Sequence, residues 1–192
     1  MNPNHPDMAL AVRAAGGENA AWREIYTATQ DRVFALLSFH IGNRDEALDV
    51  LQDTYLAVVQ GIHRYRGEGS LESWICGIAL RRARDWKRRF LRRFKQTEAI
   101  EEHPELDQGL PQPDPDLGRR LRTALAGLPD RQRSAVLLHE WMGYSFREIG
   151  AALGVSEATA RVHAFRGRET LRDRLGDTAS KVLPLAVQEQ RS

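Results

Sequence analysis

From Ala20 to Phe39, the residues Trp22, Ile25, Tyr26, Val33, Phe34 and Leu37 recur at steps of three and four. That spacing gathers them on one face of a helix. "IGN" (41–43) ends the run, because Gly and Asn tolerate the left-handed conformation at a helix C-terminus. A second helix is predicted from about Asp45 to about Ile62. "YRGEGS" (65–70) reads as a loop whose final residue, Ser70, can cap the helix after it. That third helix carries Leu71, Trp74, Ile75, Ile78, Ala83, Trp86, Phe90 and Phe94 along one stripe. No alternating run rich in Val, Ile and Thr signals a strand.

The periodicity then stops. "QTEAIEEHPELDQGLPQPDPD" (96–116) holds four prolines, seven carboxylates and no Lys or Arg, the composition of an extended, self-repelling linker. Helical spacing resumes at Leu117 and lasts to about Leu175. An all-α chain of two small helical domains follows: an N-terminal tail (1–17), a first domain (18–95), the acidic linker (96–116), a second domain (117–176) and a C-terminal tail (177–192). The apolar patch "VLPLAV" in the last segment receives no role.

The second domain holds the most specific stretch, "YSFREIGAALGVSEATARVHAFRGR" (144–168). Ser145 with Glu148 three residues on is a capping-box pattern. Gly154 supplies a left-handed stop, and Ser156 can cap the next helix almost at once. Two short helices joined this tightly make a helix-turn-helix. Upstream, Pro129 suits a helix N-terminus, where its missing N–H costs nothing. On the second helix Thr159, Arg161, His163, Arg166 and Arg168 can face groove and phosphates, with Ala160, Ala164 and Phe165 expected to pack inward. The alternative is an αα-hairpin whose arginines only solvate a surface.

Charge sharpens the reading of the first domain. The chain has a formal net charge of +2, yet "RRARDWKRRFLRRFK" (81–95) alone contains nine cations and one anion. On a helical wheel Ala83, Trp86, Phe90 and Phe94 share a narrow arc opposite Arg81, Arg84, Arg88, Arg92 and Lys95. The aromatics are therefore expected in the core, and the cations form a stripe suited to a polyanion's backbone. An anionic membrane surface is the competing ligand for such a helix. The loop before it, "HRYRGEGSLESW" (63–74), offers aromatic, cationic and flexible residues able to hold an unpaired base, the alternative being an ordinary Gly-rich loop with Tyr65 buried. The helix of Asp45, Glu46, Asp49, Gln52 and Asp53 is acidic outside, which suits a basic protein partner or a merely solvated face.

Composition narrows the classes further. The hydrophobic fraction of 42% and charged fraction of 28% are those of a globular protein. A single cysteine, Cys76, rules out an intrachain disulfide and fits a reducing cytoplasm. The polar N-terminus has no apolar core of a signal peptide, and no run reaches membrane-spanning length. No metal-ligand spacing, nucleotide-binding Gly loop or nucleophile–base pair points to a metal, a cofactor or an enzyme.

Taken with the linker, "LDVLQDTYLAV", "YRGEGSLESWICGIALRRARDWKRR" and "LPDRQRSAVLLHEWMGYSFREIGAALGVSEATARVHAFRGRETL" resemble the extracytoplasmic-function branch of the bacterial sigma-70 family, from about Glu18 to Leu175. The resemblance implies that Asp49, Gln52 and Asp53 dock on core RNA polymerase, whose largest-subunit coiled coil and flap are the family's contact sites. It implies that Tyr65, Arg66, Ser70, Arg81, Arg84, Lys87 and Arg88 recognise and open the minus-ten element of promoter DNA, and that Thr159, Arg161, His163 and Arg166 read the minus-thirty-five element. The family also implies an anti-sigma factor as a partner and a linker threading toward the polymerase active centre and RNA exit path. Leu48, Arg81, Ala160 and His163 depart from the family's frequent Glu, Asn, Val and Arg. A stand-alone helix-turn-helix regulator and a membrane-surface scaffold are the other classes compatible with parts of the pattern.

Overall fold

The computed structural model describes residues 5–94 and 115–176; the linker through residue 114, Lys95 and the tail from 177 lie outside them, as do the side chains of Arg93, Phe94 and Pro115. The chain divides into two compact units, Met1–Gly109 and Leu110–Ser192. Every regular element among the described residues is helical.

The first unit contains α1 (Pro6–Ala15), α2 (Asn19–Ile41), α3 (Arg44–Gly61), a 3₁₀ turn (Ile62–Arg64) and α4 (Leu71–Phe94). Helix α1 corrects the sequence reading, which leaves residues 1–17 as a tail. It buries Met8, Ala11 and Ala14 and packs against α2 and the 3₁₀ turn. Helices α2, α3 and α4 pack pairwise around Ile25, Val33, Leu36, Leu37, Val50, Val58, Ile75 and Cys76. Between α2 and α3 the two residues of "GN" divide the work. Gly42 adopts φ 85°, the left-handed stop expected, whereas Asn43 is extended and caps α3 by accepting from the Glu46 N–H at 3.0 Å.

The second unit contains α5 (Pro115–Ala126), α6 (Asp130–Val136) running into a π-helical turn (Leu137–Trp141), α7 (Phe146–Leu153) and α8 (Glu157–Leu175). Helix α5 takes in the last two residues assigned to the linker. The long α8 is the hub on which α5, α6 and α7 pack. Two glycines make that packing close. A Cβ on Gly167 would lie 2.6 Å from Val136 Cγ2, and one on Gly150 would lie 2.8 Å from the Val155 carbonyl oxygen. Arg133 is buried and ties α6 to the end of α5, donating to the carbonyls of Leu125, Ala126 and Leu128 at 2.8, 2.6 and 3.1 Å. Those oxygens belong to the last turn of α5 and its exit, which have no partner within the helix. Burial lowers the Arg133 pKa, only partly offset by Asp130, 3.9 Å away.

Candidate nucleic-acid and protein interfaces

Local sequence builds the helix-turn-helix as predicted. Ser145 and Glu148 form both halves of the capping box at the start of α7. Gly154 ends the helix at φ 67°, and the Ser156 hydroxyl accepts from the Thr159 N–H at 3.1 Å to open α8. Ala160 and Ala164 face the core. Of the four candidate readers, Arg161 and Arg166 are exposed and Thr159 and His163 half-buried. Arg161 sits over the Phe146 ring, 4.6 Å from its centroid, and donates to Glu157 at 3.3 Å. The Thr159 hydroxyl lies 2.8 Å from that of Ser156 and so serves the cap. Burial, then Arg131 and Arg166, push the His163 pKa down, favouring a neutral imidazole near pH 7.

Two expectations for α8 fail. Phe165 is 54% exposed rather than packed inward, because it falls outside the arc of Ala160, Ala164, Gly167 and Leu171. Val162 is exposed with it. Arg168 does not join the outward cations; it turns back to the buried Glu140, 3.4 Å away, because that carboxylate needs a countercharge in the core.

In the first unit, α4 changes character along its length. Its first half supplies the buried Leu71, Ile75, Cys76, Ile78, Ala79, Leu80 and Ala83. The second half carries the cations: Arg81, Arg88, Arg89 and Arg92 exposed, Arg82, Arg84 and Lys87 half-buried. Although Arg81 keeps much of its surface in water, partial burial of its side chain, and then the like charges of Arg84 and Arg82, lower its pKa. Arg88 pairs with Asp85 one turn back. Trp86 and Phe90 are only half-buried, which corrects their assignment to the core; Phe94 lies outside the described side chains. The two rings stack at 5.0 Å, and the Trp86 indole N–H donates to Glu46 on α3. Glu46 is thereby withdrawn from the acidic outer face to which its sequence position assigned it.

In the loop before α4, Tyr65 takes the buried alternative that the sequence left open. Tyr65 is 4% exposed, its hydroxyl donating to the Gly69 carbonyl at 2.6 Å and its ring tilted against Trp74. A buried ring offers no surface to a stacked base, so Tyr65 shapes the loop from inside. Ser70 forms the expected cap, accepting from the Ser73 N–H at 3.1 Å. Arg66 is exposed, beside Gly67 at φ 65°.

On α3, Asp49, Gln52 and Asp53 lie exposed on one side, with Asp45 a turn earlier. Leu48, Leu56 and Val59 share that side, Leu56 at 61% exposure. Sequence reading passed over Leu56 and Val59, although both fall outside the arc of Ala47, Val50, Leu51, Thr54 and Val58 on a wheel. The face is therefore mixed, with apolar side chains between carboxylates. Among the described residues there is no cluster of three metal-ligating side chains and no helix long and apolar enough to cross a membrane.

Comparison with known proteins accounts for both units. The model of sigma-70 region 2 matches residues 25–94, and that of sigma-70 region 4 matches residues 118–171. An extracytoplasmic-function RNA polymerase sigma factor, SigE of Mycolicibacterium smegmatis, is 33% identical over 94% of this chain and 73% of its own. The RNA polymerase sigma factor CarQ of Myxococcus xanthus is 34% identical over 88% of this chain and 98% of its own. Among solved structures, the sigma factor RpoE of Bartonella quintana, crystallised with the anti-sigma factor NepR, shares the fold with a TM-score of 0.65 at 20% identity, covering 81% of this chain and 96% of that one.

Proposed function

The chain belongs to the sigma-70 family of RNA polymerase sigma factors, in its extracytoplasmic-function branch, and on that premise we propose how its surfaces divide the work of initiation. The acidic, partly apolar face of α3, with Asp49, Gln52 and Asp53 among Leu48, Leu56 and Val59, meets a basic and apolar surface of core polymerase. A surface of carboxylates is repelled by DNA and is therefore kept for protein. The loop at 65–70 and the cations of α4 engage the minus-ten element. Arg66, Arg81, Arg84, Lys87 and Arg88 act there on phosphates and unpaired bases, and Tyr65 and Ser70 act by holding the loop in shape. The outward side of α8, with Thr159, Arg161, His163 and Arg166, enters the major groove of the minus-thirty-five element. The chain performs no covalent chemistry of its own; it works in the cytoplasm, where polymerase and DNA are. An anti-sigma protein, such as the one bound by the Bartonella relative, is a further partner.

The observation that carries this reading is the occurrence of sigma-70 regions 2 and 4, in order, in one chain. A stand-alone helix-turn-helix regulator has no use for the first unit, so it is not favoured. Core binding tests the assignment of α3. The doubly reversed variant Asp49→Lys, Asp53→Lys is expected to bind purified core polymerase about tenfold more weakly or worse, like charges now facing each other. Its second unit stays folded by circular dichroism and near-native in melting temperature. Unchanged core affinity overturns the placement.

A further inference from the structure

Helix α1 lies ahead of the first conserved region, which begins at residue 25, yet its start is bonded to the loop at 65–70. The Leu71 N–H, in the first turn of α4, donates to the Asp7 carboxylate at 2.6 Å. First-turn N–H groups have no partner within their own helix, and a carboxylate there meets both a donor and the positive end of the helix dipole. Ser70 satisfies one of these donors, from Ser73, and Asp7 satisfies another. The other end of the loop is held as well. Tyr65 is buried with its hydroxyl on Gly69, and that hydroxyl lies 3.2 Å from His5 Nδ1. The His5 ring stands edge-on to Tyr65 with centroids 6.2 Å apart, and its Nδ1 accepts from the Asp7 N–H at 3.3 Å; with the Tyr65 proton given to Gly69, His5 holds Tyr65 by packing. Two residues of one short segment thus touch both anchors of the loop, while Arg66 and Glu68 between the anchors stay exposed.

We propose that α1 is a clasp that sets the shape of the minus-ten loop, with Asp7 and His5 as positioning residues for promoter opening. This rests on the reading of the 65–70 loop as a minus-ten element reader. Fixing both ends of a six-residue loop limits the conformations of its crest, so Arg66 is presented to DNA already ordered and little entropy is lost on binding. The α3 face that meets polymerase lies on a different element from these contacts. Loosening the clasp therefore slows opening without weakening holoenzyme formation.

The test uses full-length protein assembled with core polymerase and a promoter fragment that wild-type holoenzyme selects from genomic DNA. Opening is followed by permanganate reactivity of thymines in the minus-ten region. Asp7→Ala is expected to open the fragment about five- to tenfold more slowly, the loss of one charged cap contact, with core affinity unchanged. Asp7→Asn keeps an acceptor oxygen for the Leu71 N–H and recovers most of that rate. Opening by Asp7→Ala at the wild-type rate overturns the clasp. So does a fall in core affinity and melting temperature that matches the fall in opening, since that is a fold effect alone. Should Asp7→Ala fail to fold, His5→Ala carries the same comparison. Arg66→Ala separates the layers: a defective Arg66→Ala beside a normal Asp7→Ala rejects only the clasp, whereas normal opening by both rejects the role of the loop itself.

Discussion

His163 is the residue whose chemistry the environment changes most usefully. In the free protein, burial and two flanking arginines, Arg131 and Arg166, hold its pKa below the ordinary value near 6.5. Folding alone then disfavours its protonation: its contribution to stability is full above pH 6.5 and declines as pH falls below that, where the unfolded chain takes up a proton more readily. A phosphate nearby reverses the balance by countering the arginines. At fixed salt, affinity for minus-thirty-five duplex is expected to rise as pH falls from 7 to 6, and His163→Gln to remove that rise. A wild-type affinity that is flat over this range places the imidazole away from the backbone. Arg168 shows the opposite case at the same scale. Its sequence position places it among the DNA-facing cations, but the buried Glu140 claims it. No spacing rule reveals that, because the partner is 28 residues away.

At the scale of the element, helix identity was largely legible and helix surroundings were not. The capping box at Ser145, the stop at Gly154 and the caps at Ser70 and Ser156 are local signals, each written within four residues, and each forms as read. Helix α1 escaped because "PDMALAVRAA" is short and its apolar face is mostly alanine. The exposure of Phe165, Leu56 and Val59 was within reach of periodicity, since each falls outside its helix's buried arc, whereas the half-burial of Trp86, which lies inside the predicted arc, was not. Gly150 and Gly167 also escaped, since nothing in the sequence marks a helix glycine as a point of close approach. Gly150→Ala tests this. Its methyl would meet backbone that cannot swing away, so a loss of about 1–3 kcal/mol of stability is expected on thermal or denaturant unfolding, against the usual gain from replacing glycine in a helix. A neutral or stabilising result shows that the turn yields.

For the whole molecule, charge is segregated by task. Nine of its 28 Lys and Arg lie in one stretch of fifteen residues, and the rest of the chain is net acidic. On the proposed role of α4, DNA contact releases counterions, so promoter affinity of the holoenzyme is expected to fall with salt on a log–log slope of roughly −0.9 per phosphate neutralised. Removing one cation that holds a phosphate, as in Arg84→Ala, is expected to make that slope shallower by about one and to weaken all promoters alike. A base-reading arginine instead relaxes preference at one position, which distinguishes the two roles. Each unit has its own core, and on the proposed assignment each carries one half of promoter recognition on a different helix. Initiation then depends on both units being tied to one polymerase.

Run-off transcription measures that dependence most directly: purified core polymerase, double-stranded genomic fragments, and the chain added or omitted. With the chain present, discrete transcripts start at defined positions downstream of a shared pair of sequence elements, and at limiting protein concentration their yield falls when Asp49→Lys, Asp53→Lys protein replaces it. Transcription that is no different with and without the chain contradicts its assignment as an initiation factor.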